Sequence, residues 1–160
     1  MFEQERMRIL DNLGDLALEI QHVGSTAIPG MKAKPEIDLL IIIKDISDID
    51  AVSTAMVNLG YDVRGECGIE GRYYYSKNTE RIRTHKVHVC ELSHENVRRQ
   101  IAFRDYMRDH PREAREYQSL KSELAETNTT GMEEYLEGKR EYIEGIIRTA
   151  FNKGYGKQYS

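Results

Sequence analysis

The chain has 160 residues, 39% of them apolar and 31% charged, with a formal net charge of −4. That length is enough for one domain with a real core, and the composition is that of a folded globular chain, not a disordered one. An acidic balance excludes bulk electrostatic attraction to nucleic acid, so any basic site has to be local.

Cys67 and Cys90 are too far apart for a CxxC motif, which makes a reduced, cytoplasmic setting the expectation. The N-terminal "MFEQERMRIL" lacks the apolar core of a secretion signal, and the longest apolar run, "IDLLIII", is far too short to span a bilayer.

In chain order, "FEQERMRILDNLGDL" places Phe2, Met7, Ile9, Leu10, Leu13 and Leu16 near helical spacing and predicts a first helix. "ALEIQHV" reads as a short strand ended by Gly24. Gly24, Pro29, Gly30 and Pro35 then punctuate a loop or short helical turn. Pro35 biases the chain to extended geometry, and "EIDLLIII" follows as a central strand. Its alternation sends Glu36 and Asp38 to one face and Ile37 to the other. "DISDIDAVSTAMVNLG" predicts a helix with an Asp or Ser cap and a stop at Gly60.

"YDVRG", "GRYYYSKN" and "THKVHVCEL" are three further strands. From Glu95 the pattern is helical: "NVRRQIAFRDYMRDH", then "PREAREYQSLKSELAE" opened by Pro111, a break at "TNTTG", and "MEEYLEGKREYIEGIIRTAF". The tail "NKGYGKQYS" is expected to fray. With no repeat or linker, the expectation is one α+β domain over 1–160, with an α/β part to about residue 94 and a helical part from about 95 to 152.

Charged side chains are rarely buried unpaired, so Glu36 and Asp38 at the mouth of an apolar strand need a partner. Two carboxylates at i and i+2 hold their oxygens on one side. That suits Mg²⁺ (or Mn²⁺), which takes carboxylates together with water and substrate phosphate. The Gly24–Ser25 turn offers backbone N–H groups and a hydroxyl to that phosphate. The competing reading is a solvent-facing strand end in which the acids pair with Lys32 or Lys34, and spacing alone weighs the two equally.

"HVGSTAIPGMKAKPEIDLLI", followed in order by "HKVHVCEL", "AFRDYMRDHP", "AREYQSLKSELA" and "YLEGKREYI", resembles the GrpB-like family of the nucleotidyltransferase superfamily, roughly from Leu10 to Ala150. The resemblance implies a minimal nucleotidyltransferase-like mixed β-sheet flanked by helices, with a helical C-terminal half. It implies that Gly24 and Ser25 form the phosphate-binding turn, that Glu36 and Asp38 are catalytic acids holding the metal, and that a neighbouring strand supplies a third acid. Many members of the family have an apolar residue where this chain has Glu36, so the complete pair here favours an active site.

Glu91 is the only carboxylate in "HKVHVCEL" and fits the third catalytic and metal-binding position by its chemistry. His88, three residues earlier, faces the opposite side of a regular strand, so the two line one site only across a bulge. His88 reads either as a ligand or phosphate donor or as a half-buried strand histidine, and His22 before the turn carries the same ambiguity.

Lys139 falls inside the apolar stripe Met132, Leu136, Ile143, Ile146, Ile147 and Ala150, where an ammonium snorkels or meets an anion. Arg104 lies near the helix face of Val97 and Ile101, and reads either as a triphosphate ligand or as a structural ion pair with an acid of the sheet. The expected phosphate-binding set is therefore Gly24, Ser25, Thr26, Lys34, Arg104 and Lys139. In the run Tyr73 to Tyr75, alternation puts either Tyr74 or Tyr73 and Tyr75 in the core and leaves at least one ring free to face a ligand, with core packing the preferred reading.

The activity implied is Mg-dependent transfer of a nucleotidyl group from a nucleoside triphosphate to an unidentified hydroxyl or amine acceptor. The alternative is a non-catalytic nucleotide-binding or accessory, chaperone-like module, as in similar domains fused to dephospho-coenzyme A kinase. A nuclease or RNA-binding role is disfavoured by the acidic balance.

Overall fold

A computed structural model describes residues 2–31, 36–127 and 132–160, and the side chains among them outside 124–136. The elements are α1 (Phe2–Leu13), β1 (Ala17–Val23), β2 (Ile37–Ile43), α2 (Ile49–Asn58), β3 (Asp62–Gly65), β4 (Tyr73–Thr79), β5 (Ile82–Glu91), α3 (Glu95–Asp109), α4 (Pro111–Thr127) and α5 (Met132–Asn152). The strands form one open mixed sheet in the order β1-β2-β5-β4-β3. Only β2 and β5 run parallel; the other neighbours are antiparallel.

The unbroken apolar run "LLIII" explains why β2 is central: after Asp38 every residue of the strand is buried, as a strand covered on both faces requires. On one face Ile37, Leu39, Ile41 and Ile43 pack with Val87, Val89 and Tyr75 against Ile9 and Leu13 of α1 and Val52 and Met56 of α2. On the other, Leu40, Ile42 and Cys90 meet Val97 and Ile101 of α3. Helices α3, α4 and α5 build a second core around Phe103, Tyr106, Tyr117 and Ile147.

The expected elements are all present, with shifted ends. A short 3-10 turn at Gly14–Leu16 follows α1, and another at Ile46–Asp48 precedes α2, with Asp45 accepting from Ser47 N at 2.9 Å. Of the tyrosine run, Tyr75 and Tyr73 join the core, and Tyr74 takes the other face beside His88. The tail is not frayed. Gly154 and Gly156 take positive φ, and the chain folds back onto α3. Tyr155 Oη donates to Asp109 Oδ2 at 2.7 Å and Tyr159 Oη to Glu19 Oε2 at 2.5 Å. Two tyrosines spaced to reach acids on other elements anchor what composition alone marks as loose. The predicted break at "TNTTG" lies mostly outside the described residues, between α4 and α5. Among the described residues no helix is long and apolar enough to cross a membrane.

Candidate functional site

The β1–β2 register places Val23 opposite Asp38, so the turn after β1 returns over the start of β2. Gly24 has φ +72°, and a Cβ on it would sit 2.7 Å from Asp38 Oδ2. Both the backbone conformation and the close approach demand glycine. Thr26 Oγ1 lies 3.0 Å from His22 Nε2 and 3.5 Å from Asp38 Oδ2, and accepts from Asp38 N–H at 3.4 Å. His22 stacks on Phe2 at 4.8 Å; burial, then Arg108 and Arg104, hold its pKa below the ordinary value.

The acids find their partners on β5. Arg83 Nε donates to Glu36 Oε2 at 3.2 Å, and Lys86 Nζ lies 3.8 Å from Glu36 Oε1 and 4.0 Å from Asp38 Oδ1. Lys32 and Lys34 lie outside the described residues. Burial raises the Asp38 pKa; Lys86 opposes that shift and Glu36 adds to it.

A cleft of about 290 Å³ opens between this corner of the sheet and helices α3, α4 and α5. Ser25, Asp38, Lys86, Lys139, His88, Asn96 and Gln100 give it polar lining, and Phe103, Ile143 and Ile147 apolar lining. Lys121 of α4 donates to Ser25 Oγ at 3.3 Å. Arg99, also in the lining, is held by Glu144 through both guanidinium nitrogens.

Of the residues expected from sequence, Gly24, Ser25, Asp38, Lys139 and His88 thus meet at one cleft, with Glu36, Thr26 and His22 directly behind it. Two do not. Glu91 pairs with Ile43 while Asp38 pairs with Lys86, five positions away in the parallel register, about 17 Å at ~3.3 Å per residue. The Glu91 carboxylate accepts from Ile46 N–H at 2.7 Å and fastens the turn before α2. Arg104 is buried behind β1, donating to Gln21 Oε1 at 2.9 Å, to the His22 carbonyl at 3.0 Å and to Asp105 Oδ1 at 2.9 Å. It fastens α3 to the sheet, and its acid is the next residue, not one of the sheet.

Sequence reasoning missed Lys86, Arg83 and Lys121. The alternation of "HKVHV" already puts Lys86 on the face of His88, so the i, i+2 logic applied to Glu36 and Asp38 would have found it. Lys121 carries no local signal, because only tertiary folding brings α4 to the Gly24–Ser25 turn.

Among the described residues no group of three His, Cys, Asp or Glu is placed to hold a metal. Glu36 and Asp38, with Lys86 between them, fit a magnesium ion that brings most of its ligands as water and substrate phosphate. They do not make a resident site of three acids.

A family model described as "GrpB protein" matches residues 1–149, and the chain belongs to the GrpB family. It is 40% identical over 143 residues to "UPF0157 protein YqkA" of Bacillus subtilis (strain 168), covering 89% of this chain and 41% of that protein. It therefore spans about two-fifths of that relative's length. It is 30% identical over 151 residues to "Glutamate-rich protein GrpB" of Alkalihalophilus pseudofirmus, covering 92% and 87% of the two chains. The crystal structure of the conserved protein GrpB from Enterococcus faecalis superposes with a TM-score of 0.86 at 34% identity, covering 95% of this chain and 91% of that one.

Proposed function

We propose that the cleft binds a nucleoside triphosphate with magnesium and transfers its nucleotidyl group to a hydroxyl or amine acceptor, as nucleotidyltransferases do. The observation that supports this reading is the Gly24–Ser25 turn folded over Asp38, with Lys86, Lys121 and Lys139 around it. A turn hydroxyl and several ammonium groups suit phosphate oxygens, and carboxylates beside them suit a phosphate-borne cation.

In this reading the Ser25 hydroxyl, Lys121 and Lys139 orient the phosphates. Glu36 and Asp38 would hold the magnesium, which would supply charge neutralisation at the phosphates and acidify the acceptor. Lys86, which pairs with the two acids in the free protein, would be available to a phosphate oxygen with a cation held there. The acceptor oxygen or nitrogen forms a bond to the α-phosphorus, its proton passes to solvent water, and the bond from the α-phosphorus to the α–β bridging oxygen breaks to release pyrophosphate. Phe103, Ile143 and Ile147 keep water from one side of the reacting group. A cytoplasmic location goes with such a ligand.

One observation favours a second reading, a nucleotide-binding module without turnover: Glu91 stands far from Asp38 and leaves two acids where the superfamily resemblance implies three. Calorimetry with the four nucleoside triphosphates and magnesium, followed by a pyrophosphate-release assay, tests both. Binding with pyrophosphate release is expected. Binding without release over a broad set of acceptors selects the module, and failure to bind any triphosphate overturns both readings.

A further inference from the structure

Beside the charged Asp38, Lys86 and Lys139, the cleft lining carries the neutral polar side chains His88, Asn96 and Gln100, with Arg99 between the last two held by Glu144. His88 stands two positions beyond Lys86 on the same face of β5, about 7 Å farther along the strand. Its Nδ1 is 3.1 Å from Arg72 Nη1. A guanidinium only donates, so Nδ1 accepts and the proton of the neutral ring sits on Nε2. Arg72 is itself fastened, its Nη2 donating to the carbonyls of Glu66 at 3.1 Å and Cys67 at 3.4 Å.

Burial, then Arg72 and Lys86, lowers the His88 pKa to about 3, so the ring is neutral throughout the physiological range. Among the described residues Nε2 has no hydrogen-bond partner, and it is not one of the sealed polar atoms of the interior. The cleft is what remains for it. Asn96 turns its Nδ2 to Cys90 Sγ at 3.7 Å, leaving Oδ1 as an acceptor, and Gln100 lies one turn farther along α3.

We infer that these neutral polar side chains recognise the heterocyclic base of the nucleotide, with His88 Nε2–H donating to a ring or carbonyl lone pair and Asn96 and Gln100 answering its N–H groups. Arg72 is a positioning residue that keeps the proton on Nε2. The charged side chains then hold the phosphates, and the ligand spans the lining from Asp38 to Asn96. A donor of fixed tautomer discriminates among bases, because a base presenting N–H at that point leaves two donors facing each other.

This inference rests on the nucleotide reading, and the test separates the two. Calorimetry compares wild type, His88→Phe and His88→Gln with inorganic tripolyphosphate and with each of the four nucleoside triphosphates, all with magnesium. Wild type should rank the four unevenly. His88→Phe should leave tripolyphosphate affinity unchanged, weaken the preferred nucleotide about fivefold and flatten the ranking, while His88→Gln, whose amide also offers an N–H, recovers most of the loss. In long-range ¹H–¹⁵N spectra His88 should show the Nε2–H tautomer, and Arg72→Met should mix the tautomers. An equal loss on tripolyphosphate, an even loss across the four nucleotides, or no loss at all overturns base recognition. If wild type binds no triphosphate, the nucleotide reading falls and base recognition falls with it.

Discussion

Both faces of the sheet bury a carboxylate among cations, and they enclose it differently. On the face covered by α1 and α2, the Glu5 side chain is 5% exposed, with Lys77 at 3.2 Å, His85 at 3.2 Å and Arg8 at 3.5 Å. On the face toward α3 and α5, Asp38 is 17% exposed and shares with Glu36 the single ammonium of Lys86, itself 31% exposed and about 4 Å away. His85 and Lys86 are adjacent in sequence, and alternation along β5 sends one to each face. The Glu5 cluster is closed: Lys77, the His85 ring and Arg8 are at contact distance, and packing covers the first two. The Asp38 carboxylate is open, with the Lys86 ammonium about 4 Å away and a cleft beside it, while its neighbour Glu36 is held by Arg83 at 3.2 Å. Enclosure and the distance to the counter-charge, not the residue types, separate a structural ion cluster from a candidate binding site.

Glu5→Ala should have the largest effect. It strands Lys77 beside the Tyr61 ring, 4.5 Å from its centroid, and should cost about 3–5 kcal/mol, the usual cost of breaking a buried pair. Urea melts measure this, and nucleotide affinity at saturating folded protein should not change. A loss of affinity with little loss of stability would reverse the assignment of the two faces.

Gly24→Ala sharpens the open face. The added methyl meets Asp38 Oδ2 and the residue must hold φ +72°, so a loss of about 1–3 kcal/mol is expected. Triphosphate binding should weaken as well, because Asp38 is displaced. A variant as stable as wild type, with unchanged binding, would show that the turn does not press on the acid.

Asp38→Asn should weaken Mg-triphosphate binding tenfold or more, about 1.4 kcal/mol, and leave the free protein as stable or more stable. The folded pKa of Asp38 is raised, so the folded state binds the extra proton. Its contribution to stability therefore falls as pH rises from the unfolded value of 3.8 through the higher folded value. Melts from pH 3.5 to 7 should show that fall in wild type and lack it in the variant. A variant that unfolds at pH 7 would place Asp38 in the structural class of Glu5.

The smallest effect belongs to Glu91→Gln. The amide still accepts from Ile46 N–H but without charge, so about 1 kcal/mol of stability should go, with nucleotide and metal binding untouched. Loss of metal-dependent binding would return Glu91 to the site and require a different pairing of β2 with β5.

Much of this molecule is legible along the chain. "ALEIQHV" becomes β1 to the residue, and the strand from Ile37 and the helix from Glu95 follow their periodicities. Alternation in β2 correctly separates Ile37 from Asp38, and the helical stripe that holds Lys139 is the one that brings it to the cleft lining. These are local properties: backbone geometry of period 2 or 3.6 sorts neighbouring side chains onto faces, whatever those faces later meet. What meets what is a matter of register between segments far apart in sequence. Tertiary structure alone paired Asp38 with Lys86 and Ile43 with Glu91, and so put Glu91 at the far end of its strand from Asp38. It carried Arg104 behind β1 and brought Lys121 to Ser25. It also anchored a glycine-containing tail through Tyr155 and Tyr159, because a hydrogen bond to a distant acid leaves no periodic trace in the segment that makes it.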